Sequence, residues 1–284
     1  MSENPNAEQV RYWNEQAGPK WVAARAPLDA MLGPIGDDAL AHAAPRPGER
    51  ALDVGCGNGR TTIALARACA GDVVGIDISA PLLALARADA AGAGLARPPR
   101  FTLADAQTAD LGPARFDLVF SRFGVMFFAD PVAAFTRLRG ALAHGGRLVF
   151  VCWQAIAVNE WMQLPLAAVG SVLELPPPTP PEAPGPFAFA DHERVRTILT
   201  RAGFAAIEIE ARRGLLELGG TTELDAATEF ALQVGPAAAA LRTAPPALAA
   251  AAREAVRARL APRVGGGATV ALPGAWWLVS ARTE

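Results

Sequence analysis

Cysteine, histidine and lysine are scarce in this sequence of 284 residues, and their scarcity excludes several kinds of site. The three cysteines, Cys56, Cys69 and Cys152, lie far apart and in no metal-ligand spacing, so they predict neither a disulfide framework nor a zinc centre. We therefore expect no metal, and we expect a reducing, cytoplasmic compartment.

A basic surface and a long apolar run are also missing. The formal net charge is −2, which argues against a nucleic-acid partner because binding to phosphates relies on a basic field. No stretch reaches the roughly 18 apolar residues of a membrane span, and residues 1–6 lack the features of a signal peptide. What the chain does have is 51% hydrophobic and 19% charged residues, a composition typical of a folded protein without a membrane partner.

Short β-branched apolar runs alternate with alanine- and leucine-rich stretches from about residue 50 onwards. This alternation predicts an α/β fold in which helices cover a parallel sheet. The predicted strands are residues 51–55, 72–78, 100–104, 116–121 and 147–153. The predicted helices between them are residues 60–70, 81–92 and 131–143.

The regular alternation ends after Trp153. Residues 176–186 are so rich in proline that they predict an extended connector, since proline interrupts helices and central strands. A helix over residues 191–202 and a strand over residues 206–218 are expected to follow it.

The last third of the chain is predicted to hold helices and a final strand. Residues 223–264 are expected to be helical, with apolar side chains four residues apart on one face at Val256, Leu260 and Val264. Residues 269–282 are rich in strand formers, and Pro273-Gly274 within them predicts a bulge or a kink.

The strongest functional signal is a glycine-rich turn that directly follows the first predicted strand and directly precedes a helix. Residues 53–59 read Asp-Val-Gly-Cys-Gly-Asn-Gly. Glycines let the backbone approach a ligand closely, and the N-terminus of the next helix favours an anionic group. A dinucleotide fingerprint would place its third glycine at position 60, where this chain has Arg60, and this counts against a nicotinamide cofactor. Asp53 also suits a ligand that carries an ammonium group.

Two further carboxylates end the second and third predicted strands. Asp77 lies 18 positions beyond Gly59, where an acid can accept hydrogen bonds from both ribose hydroxyls. Asp105 can accept a hydrogen bond from an adenine amino group. Because ligands of doubly wound sheets bind at the carboxyl ends of the strands, we expect Asp53, Asp77 and Asp105 to line one crevice around an adenosine-like molecule.

These motifs resemble those of class I S-adenosylmethionine-dependent methyltransferases over residues 50–153. The resemblance implies a Rossmann-like, doubly wound sheet of seven strands with an antiparallel terminal strand. It also implies S-adenosyl-L-methionine as cofactor, with the methionine portion at Asp53, Gly55 and Gly57, the ribose at Asp77, and the adenine beside Asp105 and Ala106. The turn over residues 142–148 is similar to the segment before the fifth strand of that family. The predicted cofactor-binding set also includes Cys56, Asn58, Ile78 and Ser121.

The N-terminal residues are predicted to fold over the cofactor as a helical lid. Tyr12, Trp13 and Trp21 offer aromatic faces that attract a cationic sulfonium and exclude water. Their alternative role is a hydrophobic anchor for the N-terminal helix. The opening Tyr12-Trp13-Asn14 with Trp21 is similar to a ubiquinone/menaquinone-methyltransferase-like subgroup.

A small, largely apolar methyl acceptor is expected, because residues 121–128 are apolar and aromatic and would lie beside the transferring methyl. The family motifs for nucleic-acid bases and for protein arginine are absent. The predicted acceptor-binding residues are Phe123, Met126, Phe127, Trp161, Trp276 and Trp277.

Methyl transfer from a sulfonium needs mainly alignment, so no base is obligatory. The weak catalytic candidates are His192, Arg122 and Tyr12, and surface or capping roles are favoured for His144 and His192.

The whole chain is interpreted as one domain of several parts. These are a lid (1–45), a cofactor core (46–154), cap insertions (155–190 and 219–264) and segments that complete the sheet (191–218 and 265–284). The cap is expected to select the acceptor, with dimerisation through the cap as an alternative. Two other functions stay open, a nicotinamide-dependent oxidoreductase and a protein that binds S-adenosylmethionine without catalysis.

Overall fold

The computed structural model describes residues 6–242, 244–265 and 267–284, and a seven-stranded sheet runs through its centre. The strands are β1 (Ala51–Val54), β2 (Val73–Asp77), β3 (Arg100–Leu103), β4 (Phe116–Arg122), β5 (Leu142–Trp153), β6 (Ala205–Glu217) and β7 (Ala271–Arg282). Their order across the sheet is β3-β2-β1-β4-β5-β7-β6.

The first five strands are parallel, and β7 is antiparallel to both of its neighbours. This confirms the predicted doubly wound sheet with an antiparallel terminal strand. The chain reverses its direction across the sheet between β1 and β4, so the crossover helices change faces there. The carboxyl ends of β1, β2 and β4 therefore meet beside this switch point, where ligands of such sheets bind.

Eleven α-helices surround the sheet in the part of the chain that the structure describes. They are α1 (Ala7–Arg11), α2 (Ala17–Ala23), α3 (Arg25–Ala43), α4 (Arg60–Cys69), α5 (Ala80–Gly92), α6 (Pro131–Ala141), α7 (Glu160–Gly170), α8 (His192–Arg201), α9 (Leu224–Gln233), α10 (Gly235–Leu241) and α11 (Pro246–Leu260). A π-helical turn, Tyr12–Gln16, joins α1 to α2.

Helix α6 shows how the local sequence sets a helix boundary. Asp130 is its N-cap and accepts a hydrogen bond from the Ala133 backbone N–H at 3.0 Å, and Pro131 takes the first position. The helix ends at Ala141, and β5 begins at once with Leu142. The predicted turn over residues 142–148 is therefore the first part of a strand, which begins five residues earlier than the sequence indicated.

Helices α7, α9, α10 and α11 pack on one another and form the region that we call the cap. The predicted helical stretch 223–264 is divided into three helices. Gly235, at φ +72°, is the first residue of the second of them. Val256 and Leu260 are fully buried, as the four-residue spacing predicts. Val264 lies beyond the end of α11 and is 37% exposed, so its placement on the same face was wrong.

The predicted bulge at Pro273-Gly274 is also wrong. Strand β7 keeps an unbroken register there, with Pro273 opposite Leu215 and Gly274 opposite Gly214 of β6. Proline is tolerated because β7 pairs with β5 only from Trp276 onwards, so one edge of the strand needs no donor at position 273. The irregularity lies at the other end of this ladder, between Ala205 and Glu208.

None of the described helices has both the length and the apolar character that crossing a membrane requires. No group of three or more histidine, cysteine or acidic side chains in the described ranges has a geometry that could hold a metal ion.

Candidate functional site

The glycine-rich turn connects β1 to α4 through three glycines with positive φ, Gly55, Gly57 and Gly59. The first two have different steric roles. A Cβ on Gly55 would be 2.6 Å from the Cα of Gly124, so this glycine allows the turn to pack against the chain that follows β4. A Cβ on Gly57 would meet no atom within 4 Å, so this part of the turn faces open space where a ligand can approach the backbone.

Asp77 ties this turn to the end of β2. One carboxylate oxygen accepts a hydrogen bond from the Gly57 N–H at 2.7 Å, and the other accepts from the Ser79 N–H at 2.8 Å. Burial raises the pKa of Asp77 above its usual value, while these backbone N–H groups oppose the rise. A carboxylate oxygen has more than one lone pair, so both oxygens can accept a further bond from a ligand hydroxyl.

Asp105 has an oxygen to spare at the neighbouring strand end. Its Oδ1 accepts a hydrogen bond from the Gln107 N–H at 2.9 Å, whereas its Oδ2 is buried and has no partner. The backbone N–H of Ala104 donates to the Asp77 carbonyl at 3.0 Å, so Ala104 is paired with the last residue of β2. Asp105 is the next residue along the chain. Asp77 and Asp105 therefore lie at the same edge of the sheet, as predicted.

Asp53 lies deeper than the sequence suggested. Its Oδ2 accepts hydrogen bonds from the hydroxyls of Thr61 and Thr62 in the first turn of α4, each at 2.7 Å, and its Oδ1 is buried without a partner. Burial raises the pKa of Asp53 to about 6, although the threonine hydroxyls and Arg122 favour the charged form. Asp53 thus supports the turn from beneath and keeps one oxygen free.

Arg122 stands close to Asp53 at the end of β4. Burial lowers the pKa of its guanidinium, and the charges of Asp29 and Asp53 oppose this effect. One terminal nitrogen of the guanidinium, Nη1, is buried and has no hydrogen-bond partner among the described residues. The Arg122 side chain passes α3 at Gly36, where a Cβ on the glycine would be 3.0 Å from Cδ of the arginine. An arginine does not release its proton near neutral pH, so this side chain suits anion binding better than the predicted acid–base role.

The N-terminal segment covers this edge of the sheet. The Ser79 hydroxyl donates to the Trp13 carbonyl at 2.9 Å. Asn14 donates to the Ile78 carbonyl at 2.8 Å and accepts from the Ala80 N–H at 3.0 Å, which fixes the segment to the start of α5. The π-helical turn Tyr12–Gln16 carries these contacts, and such turns are frequent at functional sites.

Aromatic rings extend from this lid toward β4. The Trp13 ring lies 5.3 Å from Trp21 and 5.4 Å from Phe127, both edge to face. Tyr12 packs edge to face on Trp13 and is 37% exposed. The structure thus brings together the three lid aromatics and one predicted acceptor-binding ring, Phe127.

Four predicted cofactor or acceptor residues have other contacts. The Ser121 hydroxyl donates to the Val54 carbonyl at 2.7 Å and accepts from the Gly124 N–H, so it joins β4 to β1. The Asn58 amide donates to both carboxylate oxygens of Asp29 on α3. The side chains of Cys56 and Met126 are buried in the protein interior. Any contact of Cys56 with a ligand would therefore use its backbone.

The histidine candidates lie away from this edge. His192 begins α8, is exposed, pairs with Glu193 at 3.1 Å and packs 5.0 Å from the Trp277 ring. His144 is exposed near the start of β5. Both positions agree with the surface roles that the sequence favoured over catalysis.

The predicted acceptor tryptophans divide between the two faces of the sheet. Trp276 and Trp277 are consecutive in β7 and so point to opposite faces. Trp277 donates to the Ala190 carbonyl at 2.8 Å, on the face of α8. Trp276 lies on the other face, where Trp153 is opposite it on β5 and packs 5.2 Å from Trp161. Trp277 is therefore separated from the other predicted acceptor residues, which was not expected.

Sequence reasoning missed several groups that shape the site. They are the side chains of Asp29, Thr61 and Thr62 and the backbone N–H of Gln107, and Asn14 was noted only through the resemblance. Only the two threonines carried a local signal, since they begin the helix that follows the turn. Asp29 lies 29 positions before Asn58, and sequence spacing gives no sign of that contact.

Residues 52–150 match a family model described as a methyltransferase domain. This stretch runs from β1 to β5 and contains the glycine-rich turn, Asp77 and Asp105. Residues 52–150 form a methyltransferase domain.

The methyltransferase domain has curated relatives. Aklanonic acid methyltransferase DauC of Streptomyces sp. strain C5 is 37% identical over 119 residues, which cover 41% of this chain and 54% of that protein. The chain spans about half the length of the curated relatives it matches.

The domain also has structural neighbours. A structure from Bacillus halodurans assigned as a methyltransferase has a TM-score of 0.57 at 18% identity and covers 88% of this chain and 98% of that chain. Phosphoethanolamine N-methyltransferase 2 of Haemonchus contortus, in complex with S-adenosylhomocysteine and phosphomonomethylethanolamine, has a TM-score of 0.55 at 20% identity. That match covers 88% of this chain and 52% of that chain. The two neighbours confirm the predicted Rossmann-like methyltransferase fold.

Proposed function

We propose that this protein is an S-adenosylmethionine-dependent methyltransferase that acts on a small, largely apolar metabolite. The observation that carries the proposal is a pair of buried carboxylate oxygens without partners, on Asp53 and Asp105, beside a turn whose Gly57 faces open space. Unpaired buried acceptors cost free energy, and a ligand with several donors would offset that cost.

The residues present fit this cofactor part by part. Asp53 and Arg122 offer an unpaired anionic and an unpaired cationic atom, which suit the ammonium and carboxylate of the methionine portion. Asp77 can accept from the ribose hydroxyls. The free oxygen of Asp105 can accept from the adenine amino group, and Ile78 and Ala106 are the further predicted contacts of the cofactor.

The cofactor supplies a methyl group that is already activated by its sulfonium. The chain's own part is to hold the acceptor in line and to exclude water. Trp13, Trp21 and Phe127 form an aromatic cluster beside the turn, and aromatic faces stabilise a nearby cation. A strong base is not required, which agrees with the exposed positions of both histidine candidates.

The acceptor is expected to be small and apolar, with the methylated atom oxygen, carbon or nitrogen. The predicted acceptor residues on the lid and cap side include Phe123, Phe127, Trp161 and Trp276. The name of the Streptomyces relative specifies an acid as its substrate, and an apolar acid would suit these surroundings.

Four further points stay predictions from the sequence. They are the absence of a nucleic-acid partner, a homodimer through the cap, the domain boundaries and a cytoplasmic location.

Calorimetry with S-adenosylmethionine tests the proposal. Asp105→Asn keeps the oxygen that accepts from Gln107 but places an NH₂ group where the free oxygen was, so we expect at least a tenfold loss of affinity with an unchanged melting temperature. Asp110→Asn is the matched control, because this exposed aspartate makes the same kind of bond, to the Gly112 N–H, and has no predicted ligand contact. No binding by the folded wild-type protein would refute the proposal.

The two other functions remain distinguishable by the same assay. A nicotinamide-dependent oxidoreductase would bind NAD in preference to S-adenosylmethionine. Arg60 opposes that reading, since it fills the third-glycine position and its guanidinium pairs with Asp37 at 2.8 Å. A protein that binds without catalysis would take up S-adenosylmethionine but release no S-adenosylhomocysteine with any apolar acid, phenol or amine.

A further inference from the structure

Two buried indole N–H groups beside the cap have no hydrogen-bond partner among the residues that the structure describes. They belong to Trp161 on α7 and Trp276 on β7, and each residue is only 7% exposed. An unpaired buried donor costs about 1–3 kcal/mol, and native proteins leave few of them. Two such donors in one region therefore indicate a missing partner.

Both indoles lie over the same short stretch of β7. A Cβ on Gly274 would be 3.4 Å from Cδ1 of Trp161, the carbon bonded to its Nε1. Trp276 is two residues further along β7, on the same face, and its ring tip lies 3.2 Å from a Cβ position on Gly214. Two strand residues span about 7 Å, so both indoles lie on the same face of one short stretch of β7.

Two other polar side chains of this region, Asn159 and Gln154, bind the backbone of β7. The fully buried Asn159 donates to the Ala275 carbonyl at 3.0 Å and accepts from the Ala275 N–H at 2.9 Å. Gln154 donates to the Trp276 carbonyl at 3.0 Å. These bonds fix the start of α7 and the end of β5 against β7, so the two indoles are held in place while their N–H groups stay free.

An aromatic series links this pair to the glycine-rich turn. Trp153 packs 5.2 Å from Trp161 and stacks on Phe123 at 4.1 Å. Phe123 has φ +62°, an uncommon conformation for a residue with a side chain, and it precedes Gly124, which touches Gly55 of the turn. The indole pair is thus connected by direct packing to the proposed cofactor site.

We propose that the N–H groups of Trp161 and Trp276 bind the methyl acceptor through a carbonyl or carboxylate oxygen. This inference rests on the proposed function, because it names the acceptor class for the same site. Carbonyl and carboxylate oxygens only accept and so can pair with these donors, whereas an ammonium group brings only donors and would be repelled. The surrounding rings suit a planar apolar body. The structure therefore favours an apolar acid or ketone over a cationic amine.

Trp277 provides an internal comparison for this proposal. It follows Trp276 directly, points to the opposite face, and already donates to the Ala190 carbonyl. A ligand on the lid and cap side should leave its N–H unaffected.

Nitrogen-15 NMR of the full chain tests the proposal directly. The protein has six tryptophans and so six indole signals, and Trp161→Phe, Trp276→Phe and Trp277→Phe assign three of them. We expect 2-naphthoate to shift the Trp161 and Trp276 signals downfield and to leave Trp277 in place. The matched cation, 2-naphthylmethylammonium, should shift neither. No shift with 2-naphthoate at millimolar concentration, or equal shifts with both probes, would overturn the proposal.

The same variants give an affinity test. Trp161→Phe and Trp276→Phe each keep an aromatic ring and remove one N–H, so each should weaken 2-naphthoate binding about tenfold. Their melting temperatures should not fall, since each loses an unpaired donor. Trp277→Phe should instead lower the melting temperature, because it leaves the Ala190 carbonyl unpaired, and should keep wild-type affinity. Unchanged affinity in both of the first two variants would refute the role of the pair.

S-adenosylhomocysteine binding, measured by calorimetry on the same samples, separates the two proposals. If it binds and the indole signals do not respond, the acceptor inference fails alone. If it does not bind, the proposed function fails. An indole response to 2-naphthoate would then define an oxygen-binding site that serves no methyl transfer, which also contradicts the acceptor role.

Discussion

The cofactor side and the cap side of this molecule hold their polar groups in different ways. At the strand ends of β2 and β3, Asp77 and Asp105 each bind a backbone N–H two residues further along the chain. Beside the cap, Asn159 binds Ala275, which is 116 residues away. The cofactor side is thus built largely from local turns, whereas the cap side depends on distant segments that only the complete fold brings together.

The largest expected effect separates a glycine of the turn from a glycine of the cap. Gly55→Ala would place a Cβ 2.6 Å from the Cα of Gly124 at φ +66°, so we expect a loss of about 4 kcal/mol in unfolding free energy and of cofactor binding. Gly235→Ala also has a positive φ, but its Cβ would make only ordinary contacts, at 3.7 Å or more, and should cost about 1 kcal/mol. Urea unfolding measures both, and equal losses would remove the contrast.

A pH effect is expected on the cofactor side, at Asp53. Burial raises the pKa of Asp53 to about 6 from a reference value of 3.8, so the folded state holds a proton between about pH 4 and 6 that the unfolded state has released. The contribution of Asp53 to stability is therefore present below pH 4 and falls, by about 2–3 kcal/mol, as the pH rises to 6.

Asp53→Asn, which can still accept from both threonine hydroxyls, should flatten that part of the stability curve. The affinity of the wild-type protein for S-adenosylmethionine should show the opposite trend and increase through pH 6, since the ionised carboxylate binds the ammonium. A stability curve of the variant that parallels the wild type would assign the slope to other groups.

Two arginines test whether long-range contacts matter equally at the central sheet and in the cap. Arg147 donates to Glu49 and to the carbonyls of Ala43 and Ala44, which joins β5 to the end of α3, so Arg147→Ala should cost about 2 kcal/mol. Arg257 pairs with Asp225 on the exposed surface of the cap, and Arg257→Ala should leave the melting temperature unchanged. A comparable fall in both melting temperatures would show that the cap also relies on its surface charges.

The smallest expected effect concerns the lid. Trp13→Ala removes the ring that contacts Trp21 and Phe127, so S-adenosylhomocysteine should bind about tenfold more weakly while the melting temperature changes by a few degrees at most. Tyr12→Ala, at the adjacent position and in ring contact only with Trp13 among the described residues, serves as the comparison and should weaken binding less. An unchanged affinity with a lowered melting temperature in Trp13→Ala would assign the ring an anchoring role only.

The strand ends were the most predictable part of the site. Asp77 and Asp105 were expected at one edge, because apolar runs of strand length precede both and parallel strands end together. The depth of Asp53 could not be predicted, because it depends on how α4 packs against β1. That packing brings the hydroxyls of Thr61 and Thr62 to the Asp53 carboxylate. The roles of Ser121 and Asn58 were hidden for the same reason, as each binds another element of the fold.

The acceptor side shows where sequence reasoning stops. Trp276 and Trp277 were interchangeable as candidates, because the alternation along a strand does not say which face meets the site. The pairing of β7 with β5 and β6 places Trp276 with Trp153 and sends Trp277 to the side of α8. Likewise, a bulge at Pro273-Gly274 was expected from local chemistry, yet the register of β7 on β6 is unbroken there, and β5 does not pair with this part of β7.

The sequence by itself determined the order of strands and helices, the glycine-rich turn and the carboxylates around it, because these depend on periodicity and on backbone freedom within a few residues. Tertiary structure alone decided how deep Asp53 lies, which charge Arg122 faces and which tryptophans share a face. The physical reason is that burial and pairing are set by atoms from remote segments, and their approach depends on the packing of the whole chain.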